Sequence, residues 1–450
     1  MDIGIFEQRE SNVRSYCRHF PAVFASAKNA LLYDETGKRY IDFLAGAGSL
    51  NFGHNNEFIM QRLRSYLADN GLVLGLDLYT TAKREFLRTF IDLILDPRHL
   101  PYKVQFCGPT GTNAVEAALK LARNTKQRSS ILAFMGGYHG LSLGSLATTG
   151  NRALRDAAGV PLSNVVFLPY PSTSDAGHYR HSFDTLAYLE MVLQDPLSGV
   201  DKPAAIIVET IQAEGGVVVA PTEWLKGLRD LCTRHDILLI CDDIQTGCGR
   251  TGTFFSFERA AIVPDIVTLS KSISGSGLPM SLVLIHPDID TWNPGEHAGT
   301  FRGNQLAYVT ATAALQYWMH TGLEESVRGK TSHLRKLVEE TIGPLSAKIQ
   351  TRGLGMMWGI DLEAFGDPGI ADRVARRCFD QGLIVETVGR HGGVLKLIPP
   401  LITEMDLLTE GCNIIKRSIE TELDEMPGTG TGVSITVRSA LSEDGHDSRR

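Results

Sequence analysis

Short apolar runs recur through the middle of the chain, each bounded by glycine, proline or charge. Ile131–Phe134, Val165–Leu168, Ala204–Glu209, Ile237–Ile240, Ile266–Leu269 and Leu282–Ile285 read as buried strands. Between them lie segments of helical character. Ala114–Arg123 is a run of strong helix formers, and Thr222–Cys232 has a capping residue followed by apolar positions at helical spacing. Strand alternating with helix predicts an α/β fold whose mostly parallel sheet is covered by helices on both faces. This block, residues 55–310, is expected to be the large domain.

The flanks have another texture. Glu10–Pro21 is polar and dotted with aromatics, as for a segment that packs on another element or subunit. Ala30–Phe43 alternates apolar and polar positions across Asp34–Gly37, a hairpin signal. Residues 1–54 are therefore expected to join a second, smaller α+β domain at 311–425. There the chain reads as helical to about Glu340, then as antiparallel strands at Gly353–Leu362 and Gly393–Ile398 around a helix at 370–381. Residues 426–450 are Gly, Thr, Ser and charge, the composition of a disordered tail.

Composition narrows the functional classes. Apolar residues make up 43% and the net charge is −7, which gives no electrostatic reason to expect nucleic acid or an anionic membrane surface. No apolar run has the length of a membrane span, and Met1–Glu10 carries acids where a signal peptide needs a basic start, so a cytoplasmic location is expected. The seven cysteines show no CxxC spacing, which suits reduced thiols rather than a disulfide framework or a metal site.

Candidate chemistry clusters at the predicted carboxyl ends of strands, where open α/β sheets bind ligands. The run Ile237–Ile240 leads into Asp242 and Asp243 and then a glycine-rich loop to Gly252. Asp242 is open to several readings: a helix cap, a buried ion-pair partner, a magnesium ligand, or an acid facing the ring nitrogen of pyridoxal phosphate. In the last, Ile244 packs beneath the ring and Gln245 reaches its phenolic oxygen. Lys271 ends the next run. It is either a surface lysine that follows a strand or a desolvated, Schiff-base-forming amine, and its Ser, Ile and Gly neighbours suit the second. Gly111, Thr112 and Asn113 at a helix start serve as a simple cap or as a phosphate cradle. In Gly136–Gly140, Tyr138 is a core aromatic or a ring that stacks on a cofactor, with His139 beside it. Glu209 and Glu214 add carboxylates to the same rim, and His297–Asn304 forms a polar, glycine-punctuated loop.

These motifs, in this order, resemble the class III (ornithine/ω-amino acid type) pyridoxal-phosphate-dependent aminotransferases over residues 20–425. The run Asp242–Gly252 followed downstream by Ser270-Lys271 carries most of the likeness. Ser11–Pro21, Ala45–Asn56, Phe106–Glu116 and Leu269–Pro279 extend it towards the branch, of ectoine type, that uses 2,4-diaminobutyrate. The resemblance implies the fold type I architecture of these transferases and pyridoxal 5′-phosphate as cofactor. It also implies a homodimer or a dimer of dimers.

Carried over position by position, the resemblance makes Lys271, Asp242 and Glu209 the catalytic set. Lys271 bonds the cofactor and moves the substrate proton, Asp242 pairs with the pyridine nitrogen, and Glu209 supports the ring-side network. Gly111 and Thr112 hold the phosphate from one subunit, and Thr300 reaches it from the other. Tyr138, His139, Ile244 and Gln245 surround the ring. Glu214 stands where ornithine-type members mask an arginine, but Lys396 occupies the arginine's place, keeping the charge and losing the fork. Leu141 stands where several ω-amino acid members carry an arginine for a substrate carboxylate, and Asp243 where glutamate is commoner. The expected reaction exchanges a terminal amino group between 2,4-diaminobutyrate and 2-oxoglutarate. Rival readings are the same chemistry on ornithine, lysine or another ω-amine, and a binding protein that kept the fold and lost catalysis.

Overall fold

The computed structural model describes residues 3–171 and 183–426. Its centre is a seven-stranded sheet of β1 (Lys103–Phe106), β2 (Ile131–Phe134), β3 (Val165–Leu168), β4 (Ala205–Val208), β5 (Leu238–Asp242), β6 (Ile266–Leu269) and β7 (Leu282–Ile285). In space the order is β1-β7-β6-β5-β4-β2-β3. Only β7 runs against the others, pairing antiparallel with β6 and with β1.

Both faces of this sheet are dry, so its strands carry apolar residues at successive positions instead of alternating ones. The period of two still sorts them. Ile131, Ala133, Leu238 and Ile240 pack towards Val115, Ala118 and Leu119 of the helix Gly111–Lys126. Leu132, Phe134 and Leu239 pack on the other face, against Trp224, Leu225 and Leu228 of the helix Thr222–Arg234.

Two four-stranded sheets and a two-stranded ribbon of Ile211–Gln212 and Val218–Val219 build the rest. Phe24–Lys28, Leu31–Asp34 and Arg39–Asp42 form an antiparallel meander, and Leu383–Ile384 adds to its last strand in parallel. The expected N-terminal hairpin is therefore present and tied to the C-terminal part of the chain. Phe20, from the aromatic-dotted stretch, is buried with Tyr40, Phe379 and Ile384. The second sheet has the order Gln350–Leu354, Met357–Asp361, Val394–Leu397, Glu386–Val388, all antiparallel. The tail expected to be disordered lies outside the described residues from position 427 on.

Three expectations need correction. β1 escaped the sequence reading because Lys103 and Gln105 break its apolar run, as befits a strand at the sheet's edge with its Lys103 exposed. Gly353–Leu362 is two strands, turned by Gly355 at φ +63°. A Cβ on Gly355 would lie 2.4 Å from the Arg250 carbonyl oxygen, so the turn admits only glycine. The strand expected at Ile237–Ile240 runs on to Asp242, which matters because it fixes the depth of that carboxylate.

Arg250 ties the sheets to one another. It is wholly buried and donates to the carbonyl oxygens of Met356 (3.0 Å) and Pro399 and to Asn51 Oδ1. Asn51 in turn donates to the Cys248 carbonyl oxygen at 2.9 Å. Arg250→Ala strands these buried acceptors and is expected to cost about 3 kcal/mol, read as a lowered urea midpoint with little change in m-value.

Candidate active site

The carboxyl ends of β2, β4, β5 and β6 open into one cavity of about 330 Å³. Its lining includes Gly111, Thr112, Tyr138, His139, Leu141, Glu209, Glu214, Asp242, Ile244, Gln245 and Lys271, residues that span 160 positions of the chain. Strand pairing explains the meeting of the two central ones. In the parallel pair β5–β6, Asp242 lies opposite Thr268, three residues before Lys271.

Asp242 is 4% exposed, and both its oxygens have partners while Oδ2 keeps acceptor capacity towards the cavity. Oδ2 faces His139 Nδ1 at 2.7 Å, and Oδ1 accepts from Thr268 Oγ1 (3.0 Å) and from the Ile244 amide (3.2 Å). Burial pulls the His139 pKa down, but the hydrogen bond and charge of Asp242, aided by Glu209, outweigh it and the net direction is up. His139 thus sits behind Asp242 as its buried hydrogen-bond partner, in place of solvent. Its neighbour Asp243 faces away, held by Thr246 Oγ1 at 2.7 Å and the Ser256 amide at 3.1 Å, and has a structural place.

Lys271 is differently treated. Its one hydrogen-bond partner among the described residues is the Ala47 carbonyl oxygen, at 2.9 Å. Desolvation draws its pKa below the ordinary lysine value, and Lys396 adds to this against the opposing pull of Glu214. Its backbone sits at φ +53°, a strained conformation for a residue with a Cβ. Opposite it, Ala45, Gly46, Ala47 and Gly48 are all left-handed, with φ from +48° to +80°, which aims the Ala47 carbonyl at the amine.

The helix Gly111–Lys126 starts at the cavity wall, so its first amides and the positive end of its dipole face inward. A Cβ on Gly111 would come within 3.0 Å of Ile244 Cδ1. Asn113 is spent on capping, its Oδ1 accepting from Thr110 Oγ1 at 2.9 Å. Thr112 Oγ1 meets the Ser142 hydroxyl at 2.6 Å. Tyr138 is half-buried and its amide donates to Glu209 Oε2 at 3.0 Å. Burial first, with the Asp242 and Glu214 charges, raises the Glu209 pKa to about 7. Thr300 lies in an exposed loop and is not among the residues lining this chain's cavity. Leu141 stands exposed at the cavity lip.

At one end of the cavity Lys396 is completely buried. Its ammonium meets Glu214 Oε1 at 2.6 Å, Glu386 Oε1 at 3.0 Å and Gln245 Oε1 at 3.1 Å. Three oxygens diverge around the ammonium, two accepting its hydrogen bonds and the third, from Glu386, paired with it by charge, an arrangement that suits a compact ammonium better than a planar guanidinium fork. Burial works against all three charges. The carboxylates nevertheless raise Lys396, and Lys396 and Lys271 hold Glu214 below its ordinary range, whereas Glu386 is raised. Gln245 Nε2 donates to the Ala47 carbonyl oxygen at 3.1 Å, so this network also touches the lysine's acceptor. Sequence reasoning missed Glu386. Its signal was there: Glu386 and Lys396 are direct cross-strand partners, separated by a glycine-rich hairpin at Gly389, Gly392 and Gly393.

The cavity suits pyridoxal phosphate by its donor set. It offers helix-start amides for a phosphate, a buried carboxylate for a pyridinium nitrogen, an aromatic wall and a desolvated amine. Among the described residues no group of His, Cys, Asp and Glu is arranged to hold a metal ion, and no helix is long and apolar enough to cross a membrane.

Comparison with known proteins agrees with this geometry. The family model for class III aminotransferases matches residues 13–419. A diaminobutyrate–2-oxoglutarate transaminase of Bordetella parapertussis is 53% identical over 427 residues, covering 94% of this chain and 97% of that protein. One from Streptomyces coelicolor is 51% identical over 424 residues, covering 93% and 98%. The crystal structure of the ornithine aminotransferase from Toxoplasma gondii superposes with a TM-score of 0.80 at 25% identity, covering 93% and 94% of the two chains.

Glu209 yields a pH prediction. Its folded pKa, about 7, lies above an unfolded value near 4. Its contribution to stability is therefore full below that lower value and lost as pH rises through 7. Glu209→Gln is expected to gain stability relative to the parent chain between about pH 5 and pH 8, measured as the difference in urea midpoints. A difference that stays flat across that window counts against the assignment.

Proposed function

The chain belongs to the class III aminotransferases, and from that premise we propose that it exchanges the terminal amino group of 2,4-diaminobutyrate with 2-oxoglutarate, forming aspartate 4-semialdehyde and glutamate. The observation that carries the reading is the single cavity that joins Lys271, Asp242 and Glu214, the last ion-paired with the buried Lys396. Relatives of that name, about half identical over more than nine-tenths of the chain, support the choice of substrate.

The bound cofactor supplies an aldehyde for the substrate amine and a ring that accepts the electrons released when the adjacent C–H bond breaks. The protein's part is to hold, charge and dry the site. Gly111 and Thr112 present backbone amides to the phosphate at the helix start. Asp242, oriented by His139 and Thr268, is the carboxylate that would pair with the ring nitrogen. Lys271 has the desolvated amine that takes up and returns the substrate proton; its shift towards neutrality lowers the cost of entering that role. Tyr138 and Ile244, which line the cavity, would flank the ring, and Glu209, titrating near neutrality, steadies the Tyr138 amide. Glu214 and Lys396 set the charge at the substrate end.

A ping-pong cycle follows, because one site must take the diamine and then the dicarboxylate in turn. We also propose self-association, as a homodimer or a dimer of dimers: Thr300 is exposed and outside its own cavity, which suits a residue that would reach the phosphate site of a second copy.

Lys271→Ala is expected to abolish turnover, and wild-type rates in that variant contradict the mechanism. With 2-oxoglutarate as acceptor, kcat/KM for 2,4-diaminobutyrate is expected to exceed that for ornithine by roughly tenfold or more. The reverse order moves the assignment to another ω-amine within the same chemistry.

A further inference from the structure

The substrate end of the cavity has a charge surplus. Two carboxylates, Glu214 and Glu386, converge on the one ammonium of Lys396. Lys271 balances the second carboxylate only while it carries a proton, and its nucleophilic role requires it to lose one. While Lys271 is neutral, two carboxylates therefore share the one ammonium of Lys396, so an ionised Glu386 has no cation of its own in this cluster.

Glu386 is the carboxylate with capacity to spare. Among the described residues it accepts no hydrogen bond, and its buried Oε1 meets Lys396 only as an ion pair. Glu214, by contrast, accepts from both Lys396 and Gln245. A buried carboxylate with unused acceptor sites is costly unless a cation arrives to use them. Glu386 also lines an outer cavity of about 340 Å³, which shares Glu214 with the inner one and carries Tyr16, Arg18 and Arg376. Glu214 thus stands between the cavity at Lys271 and a space where acids and cations lie side by side.

We propose that Glu386, together with Glu214, binds the spectator ammonium of the diamine, the one that does not react, and so determines the preference for diamines over monoamines. This rests on the diamine reading above and adds the group that enforces it. A short aliphatic spacer separates the two amines of 2,4-diaminobutyrate, so one reaches Lys271 while the other remains charged beside the surplus carboxylate. Arg18 and Arg376, in the outer cavity, offer cations to the carboxylate of the same head group. The analogue 4-aminobutyrate has the same chain and lacks only that second ammonium; it leaves the surplus uncompensated.

The test compares the holoenzyme with Glu386→Gln and Glu386→Asp on 2,4-diaminobutyrate, 4-aminobutyrate and glutamate. Glu386→Gln is expected to raise KM for the diamine by roughly tenfold with kcat little changed, and to cut the diamine-over-monoamine ratio of kcat/KM by a similar factor. KM for glutamate is expected to stay within about threefold, since Lys396 keeps Glu214 as partner. Glu386→Asp, which retains the charge, is expected to restore part of the preference. Equal losses on all three substrates mark a merely structural role and overturn the proposal, as does an unchanged ratio. If the parent enzyme uses ornithine and not 2,4-diaminobutyrate, the substrate reading fails while the same ratio, taken with ornithine against 5-aminopentanoate, still decides the role of Glu386.

Discussion

A charge taken out of water must be paired, and the active site is built around the places where this demand is met and the one place where it is relaxed. Asp242 is met on both oxygens, by His139 and by Thr268. Lys396 is met by hydrogen bonds to Glu214 and Gln245 and by the charge of Glu386. Lys271 receives a single carbonyl oxygen, from a left-handed turn, and no carboxylate in direct contact. Desolvation is the largest influence on that amine and, with the charge of Lys396, outweighs the pull of Glu214, so a permanent cation at residue 271 is unfavourable.

The sheet supplies the geometry. Strands buried on both faces have no freedom of register, because a one-residue slip would exchange the residues packed on the helix Gly111–Lys126 with those packed on Thr222–Arg234. With β5 and β6 fixed in this way, Asp242 stands opposite Thr268 and the chain delivers Lys271 to the cavity three residues later. Arg250, just beyond β5, then locks the rim to residues 51, 356 and 399.

Much of this was legible in the chain itself. Buried parallel strands announce themselves as unbroken apolar runs, so β2 to β7 could be read directly, and a carboxylate or lysine closing such a run points to the ligand side. What escaped depended on tertiary context. β1 has a polar residue at every second position and pairs only through the antiparallel β7. The left-handed run Ala45–Gly48 includes two alanines at positive φ, a conformation their sequence does not ask for and which the surrounding packing imposes. Glu386 sits in a three-residue strand too short to show a period, and its meaning appears only once it faces Lys396 across the sheet. The lysine itself looked like a weakened arginine; the three oxygens around it show a site shaped for an ammonium.

The central claim is that the amine of Lys271 is the group that meets the cofactor's aldehyde in the cavity walled by Asp242. Borohydride reduction of the cofactor-loaded protein, followed by proteolysis and mass spectrometry, tests it most directly. The account predicts a phosphopyridoxyl group fixed on the peptide that contains Lys271 and on no other. A label on Lys396 or on a surface lysine, with Lys271 unmodified, would contradict it.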